Sequence, residues 1–104
     1  MIIVTTPTIT GRTVKKTLGL ARGNTIRARH IGHDIMASLK NLVGGEIEDY
    51  TKMMAEAREQ AIDRMVDEAK EMGANAIVNM RFATSQVMQN ASEIVAYGTA
   101  VVIE

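Results

Sequence analysis

His30 and His33 form an H-x-x-H pair with Asp34 immediately after it, and this is the run of the chain whose residue types best suit chemistry. Neutral imidazole and carboxylate are ligands for a divalent metal ion, which makes His30 and His33 the candidate metal residues. A closed structural zinc site takes about four protein ligands, whereas the chain contains two histidines and no cysteine. A metal here would need further ligands or water shared across a contact between subunits. The bland use of the same side chains is hydrogen bonding at the mouth of a loop.

Other residue types contribute less. The eight methionines offer thioethers to a soft metal, but at helical spacing Met is adaptable core filler. The run G-L-A-R-G, residues 19–23, has neither the glycine spacing nor the following Lys-Ser/Thr of a phosphate-cradling loop, so a bulge or close packing is expected there. Ser38, Ser85 and Ser92 have no patterned His and Asp companions, so no hydrolytic triad is expected. No catalytic residue is assigned. The carboxylates of Glu56, Glu59, Asp63 and Asp67 recur at helical spacing and read as a solvated face.

The element that organises the chain is a helix over residues 46–72. At 100° per residue Ile47, Tyr50, Met54, Ala57, Ala61, Met65, Ala69 and Met72 share one stripe, opposite Asp49, Glu56, Asp63, Asp67 and Lys70. Acids occupy the first turn, Lys70 the last, and Gly73 follows in the position that favours a left-handed cap. Ile62 and Val66 widen the stripe toward the C-terminal half, as a helix touching two surfaces would. Such a helix runs roughly 40 Å, whereas a compact chain of this size is about 33 Å across. It is therefore expected to overhang its own sheet or to lie against a neighbouring subunit.

Around this helix the pattern predicts strands. Residues 2–5 read as a short strand, Pro7 and Gly11 as a turn, and residues 12–22 as a second strand that Gly23 and Asn24 break or bulge. Residues 32–45 read as a short helix that starts near Asp34 and stops at Gly44 and Gly45. After Gly73, Val78, Met80 and Phe82 alternate with Asn79 and Arg81, giving a strand with one wet face, and a turn is expected over residues 89–92. The last strand is apolar on both faces, with Ile94, Ala96, Gly98, Ala100 and Val102 on one and Val95, Tyr97, Val101 and Ile103 on the other. One helix layer covers one face only, so something else, such as another subunit, is expected to cover the second.

The 104 residues allow a single domain, residues 1–104, with no room for two cores. No apolar run approaches a membrane span and no basic-then-apolar leader is present, so no membrane association and a cytoplasmic location are expected. Net charge is zero, yet residues 1–45 carry seven Lys or Arg against one acid and residues 46–104 carry five against eleven, so the halves stand at +6 and −6. The charges of the two halves either neutralise each other or stay solvated within one fold, or meet head to tail between subunits of a ring. Arg12, Lys15, Lys16, Arg22, Arg27 and Arg29 could follow a phosphate backbone, but three aromatic residues leave little for stacking bases, and nucleic acid is not the expected partner.

Three segments carry a resemblance to a known family: D-I-M-A-S-L-K-N-L-V-G-G-E-I-E-D-Y (34–50), E-A-R-E-Q-A-I-D-R-M-V-D-E-A-K-E-M-G-A-N-A-I-V (56–78) and Y-G-T-A-V (97–101). On these the chain resembles the YbjQ-like family, described as heavy-metal-binding, over nearly its whole length. The resemblance implies an α+β fold, a small β-α-β-β subunit of the dodecin-like class with a long helix on an antiparallel sheet, extra short strands, and assembly into a homopentameric ring. It implies no established activity and supplies no ligand motif that maps onto particular residues. The function expected is that of a non-catalytic, homo-oligomeric structural or ligand-binding protein, with a divalent metal as its candidate ligand. The alternative is an enzyme whose site, drawing on His30, His33 and Asp34, is assembled between subunits.

Overall fold

The computed structural model describes residues 1–28, 45–88 and 91–104. Strands occupy Ile2–Ile3 (β1), Val14–Ala28 (β2), Ala76–Met88 (β3) and Ala91–Ile103 (β4), and the helix α1 runs Gly45–Glu71. The short helix expected over residues 32–45 lies outside the described residues apart from Gly45, which opens α1.

The helix follows its sequence pattern closely. Ala57, Ala61, Met65 and Ala69 are fully buried on one stripe, while Glu56, Asp63, Asp67 and Lys70 are exposed. Ile62 and Val66 are half-buried and pack on the same core, so the widened stripe is used within the chain. At its end Gly73 adopts φ +91°, its N–H donating to the Lys70 carbonyl at 3.0 Å and that of Ala74 to the Ala69 carbonyl at 3.0 Å. This paired closure satisfies carbonyls that the helix itself leaves open.

The four strands form one sheet in the order β1-β3-β4-β2. β4 runs antiparallel to both its neighbours, but β1 is parallel to β3, so the sheet is mixed and not wholly antiparallel as expected. The reason is the path of residues 4–13, which carry the chain from the β3 edge to the β2 edge. On the way Val4 and Ile9 pack on Ala76, Val78, Val101 and Ile103, on the side of the sheet away from the helix. The chain's own N-terminal segment thus covers one end of the second face of β4, a role the sequence reading gave to another subunit.

β2 is one strand of fifteen residues and is not interrupted at Gly23 and Asn24. Its irregularities fall earlier, between Val14 and Lys16 and between Thr17 and Gly19. Gly23 serves the packing instead: a Cβ there would collide with the Met65 nitrogen and the Ala61 oxygen of the helix. Thr25, two residues on, donates its hydroxyl to the Ala57 carbonyl at 3.2 Å. Small residues on both elements let the helix backbone rest directly on β2.

In β3 the expected single alternation fails at Asn79. Its φ of +54° marks a bulge between Val78 and Arg81, and the extra residue reverses which face follows. Val78 therefore joins the second-face cluster, whereas Met80 joins the helix-side core. Ala76, Ile77 and Val78 are buried in succession, because both faces are covered there.

The helix α1 is not too long for its own sheet. Its 27 residues span about 40 Å, but β2 and β4, of 15 and 13 residues, span roughly 43–50 Å. The chain is drawn out to 55 × 24 × 17 Å with a Cα radius of gyration of 17.1 Å, well above the compact value of about 13 Å. Helix and sheet are long together, so helix length by itself does not call for a neighbour.

Candidate interaction surface and metal residues

His30, His33 and Asp34 all lie outside the described residues, so the structure does not place the candidate metal pair. Among the described residues no group of three or more His, Asp or Glu side chains comes together as a metal site would require. Those residues therefore do not by themselves fit a heavy-metal centre. Four of the methionines behave as packing residues: Met65 and Met80 are buried, and Met54 and Met72 pack half-buried against the same core. Glu56, Glu59, Asp63 and Asp67 are exposed, as a solvated face should be. Ser85 is exposed and Ser92 half-buried, on paired strands.

What the described residues do build is a surface. Residues that pair directly across neighbouring strands stand on the same face, and on the face away from the helix the rows are Leu20–Thr99–Val78, Arg22–Tyr97–Arg81, Asn24–Val95–Ala83 and Ile26–Glu93–Ser85. Leu20 and Ile26 are 55% and 56% exposed, and Val95 and Tyr97 are half-buried. The N-terminal segment that shields Val78 and Val101 does not seal these rows. Two large aliphatic side chains are left in water beside half-covered apolar neighbours, the arrangement that marks an interaction face.

The β3 edge adds to it. Beyond the β1 pairing at Ala76 and Ile77 and the bonds from Asn79 to Thr6 and from Met80 to Val4, no described strand lies alongside residues 81–88. Residues 82–88, F-A-T-S-Q-V-M, carry no charge, and Phe82 is 42% and Met88 62% exposed. An uncharged, unpaired edge is a template for another strand. The opposite edge is guarded: Arg64 reaches from the helix to donate to the Asn24 carbonyl of β2 at 2.6 Å.

Part of the basic N-terminal half is engaged within the chain, Lys15 by an opposite charge and Arg12 and Arg27 by uncharged acceptors. Lys15 pairs with Glu104 at 3.2 Å, both well exposed, and Arg12 Nε donates to the Glu104 carbonyl at 3.0 Å. Arg27 donates to Gln60 Oε1 at 3.0 Å. No described helix is long and apolar enough to cross a membrane.

The fold and surface define a class: one long helix laid on a mixed four-stranded sheet, with an incompletely covered second face and no assembled catalytic group among the described residues. A solved protein of this architecture from Pediococcus pentosaceus, a DUF74-family protein of unknown function, superposes with a TM-score of 0.62 at 20% identity, covering 100% of this chain and 98% of the other. That likeness concerns the fold alone. The chain belongs to the YbjQ family, whose description reads "Putative heavy-metal-binding" and whose profile matches residues 1–104. Relatives bear the family name UPF0145: one from Dehalococcoides mccartyi strain BAV1 is 62% identical over the full length of both chains. Another from Methanosarcina acetivorans is 61% identical, covering 99% of this chain and 97% of the relative, and one from Pyrococcus horikoshii is 62% identical, covering 100% and 89%.

Proposed function

We propose that this protein is a self-assembling, non-catalytic module of the cytoplasm, in which further copies of the chain cover the second sheet face and the open β3 edge. The observation that carries the reading is the exposure of Leu20 and Ile26 on that face, 55% and 56%. Burying the exposed half of each side chain stabilises a contact by about 1 kcal/mol. The edge from Phe82 to Met88 supplies backbone groups that no described strand pairs, and backbone pairing gives a contact direction as well as affinity. Five copies is the ring size the family resemblance implies. A metal role joins this reading through His30 and His33 and the family description, with the remaining ligands drawn from a subunit contact.

The test is the mass of the protein in solution at micromolar concentration, by multi-angle light scattering. A single multimer is the expected result, and a monodisperse monomer removes the reading. Thr84→Lys with Gln86→Lys places charge along the β3 edge without touching a buried residue. This pair should lower the mass while leaving the circular dichroism spectrum unchanged.

A further inference from the structure

The second sheet face holds a charged feature that apolar self-association does not explain. Arg22 on β2 pairs directly with Tyr97 on β4, and Tyr97 pairs directly with Arg81 on β3. The three residues stand in one row, with Tyr97 between the two arginines. Neighbouring strands lie about 4.8 Å apart, so the two arginine backbones are roughly 10 Å from each other. Side chains of that length can converge over the ring.

Their hydrogen bonding is unequal. Arg81 is held by its Nη1, which donates to the Thr5 carbonyl at 2.7 Å and to its neighbour's carbonyl, that of Met80, at 2.8 Å. Nη2 and Nε remain for an outside acceptor. Arg22 is exposed and has no hydrogen-bond or ion-pair partner among the described residues. Among the described residues the acid of the same face is Glu93, two rows along β4 from Tyr97, which is about 13 Å. Its Oε2 is already engaged by Asn24 Nδ2 at 3.1 Å. Two arginines therefore flank Tyr97 in the row, and among the described residues no carboxylate stands close by to neutralise them.

We propose that Arg22, Tyr97 and Arg81 form an oxyanion site that takes a single phosphate or carboxylate group. Guanidinium presents its N–H donors as a planar fork that matches both groups, and the phenol supplies one further O–H donor. Leu20 and Val95 occupy the rows on either side. This inference stands on the strand register and does not require the self-assembly reading.

The experiment titrates the full-length protein, in whatever assembly it adopts, with inorganic phosphate and separately with succinate. The arginine Nε–H resonances are followed by NMR at constant ionic strength set with chloride. Saturable shifts of the Arg22 and Arg81 resonances are expected. Arg22→Gln should weaken binding at least about ten-fold, the loss of one charge-assisted bidentate contact. Tyr97→Phe should weaken it by a smaller factor. Saturation by phosphate alone assigns a phosphoryl ligand, saturation by succinate alone assigns a carboxylate, and saturation by both supports the shared chemistry. Shifts that track chloride equally and never saturate overturn the proposal, because they show only screening. So does undiminished affinity in Arg22→Gln, a variant that breaks no contact among the described residues. Resonances already bound in the assembled protein, and released only when it dissociates, assign the row to a second copy's carboxylates and likewise overturn it.

Discussion

The backbone nitrogen of Met65 lies where a side chain on Gly23 would begin. Helix and strand thus touch main chain to main chain, and Ala57, Ala61 and Ala69 along the same stripe keep the approach close. Gly23→Ala must push the helix off β2 or bend the strand. Overpacking of this kind costs about 1–3 kcal/mol, which for a domain of this size lowers the melting temperature by roughly 4–8 °C per kcal/mol. Thermal melting followed by circular dichroism checks it. An unchanged midpoint would mean that the two elements are not in contact there.

Thr25 is 2% exposed and its hydroxyl is bonded to Ala57 across the same interface. Thr25→Val keeps the shape and deletes that bond. The Ala57 carbonyl keeps its intrahelical partner, so the expected loss is modest, about 0.5–1.5 kcal/mol. Urea denaturation should place this variant between wild type and Gly23→Ala.

Aspartate on the second face should have two different outcomes. Val101 is 2% exposed beneath Val4 and Ile9. Val101→Asp buries an unpaired carboxylate at a cost of about 3–5 kcal/mol, a large share of the 5–15 kcal/mol that holds a domain folded. It should unfold the chain. The double change Leu20→Asp, Ile26→Asp puts charge where side chains are already in water and should leave the fold intact while lowering the solution mass. If both variants unfold alike, the second face is not free as described.

The metal reading is checked by titrating zinc, nickel and copper into wild type and into the His30→Ala, His33→Ala double variant, with the solution mass monitored in parallel. Wild type should bind and the variant should not. Because the neutral imidazole is the ligating form, binding should weaken as pH falls through the histidine range near 6.5. Equal binding by the two proteins would remove these histidines from any metal site.

Local pattern settled much of this molecule, because a period of 3.6 or 2 residues records which side of an element is dry. The α1 stripe from Ala57 to Ala69 and the two apolar faces of β4 are written in that way, and the cap at Gly73 is written in the identity of one residue. Tertiary packing decided the rest. Gly23 looked like a strand break, since glycine is poor in strands, and only the helix lying on it shows that the missing Cβ is what the position requires. Asn79 reversed the alternation of β3, an event that one residue in an unusual conformation produces without disturbing the hydrophobic pattern. Val4 and Ile9 gave no sign of covering Val101 and Ile103, because such contacts join residues far apart in the chain. The row of Arg22, Tyr97 and Arg81 depends on the register of three strands, and register follows from the assembled sheet, not from any one segment.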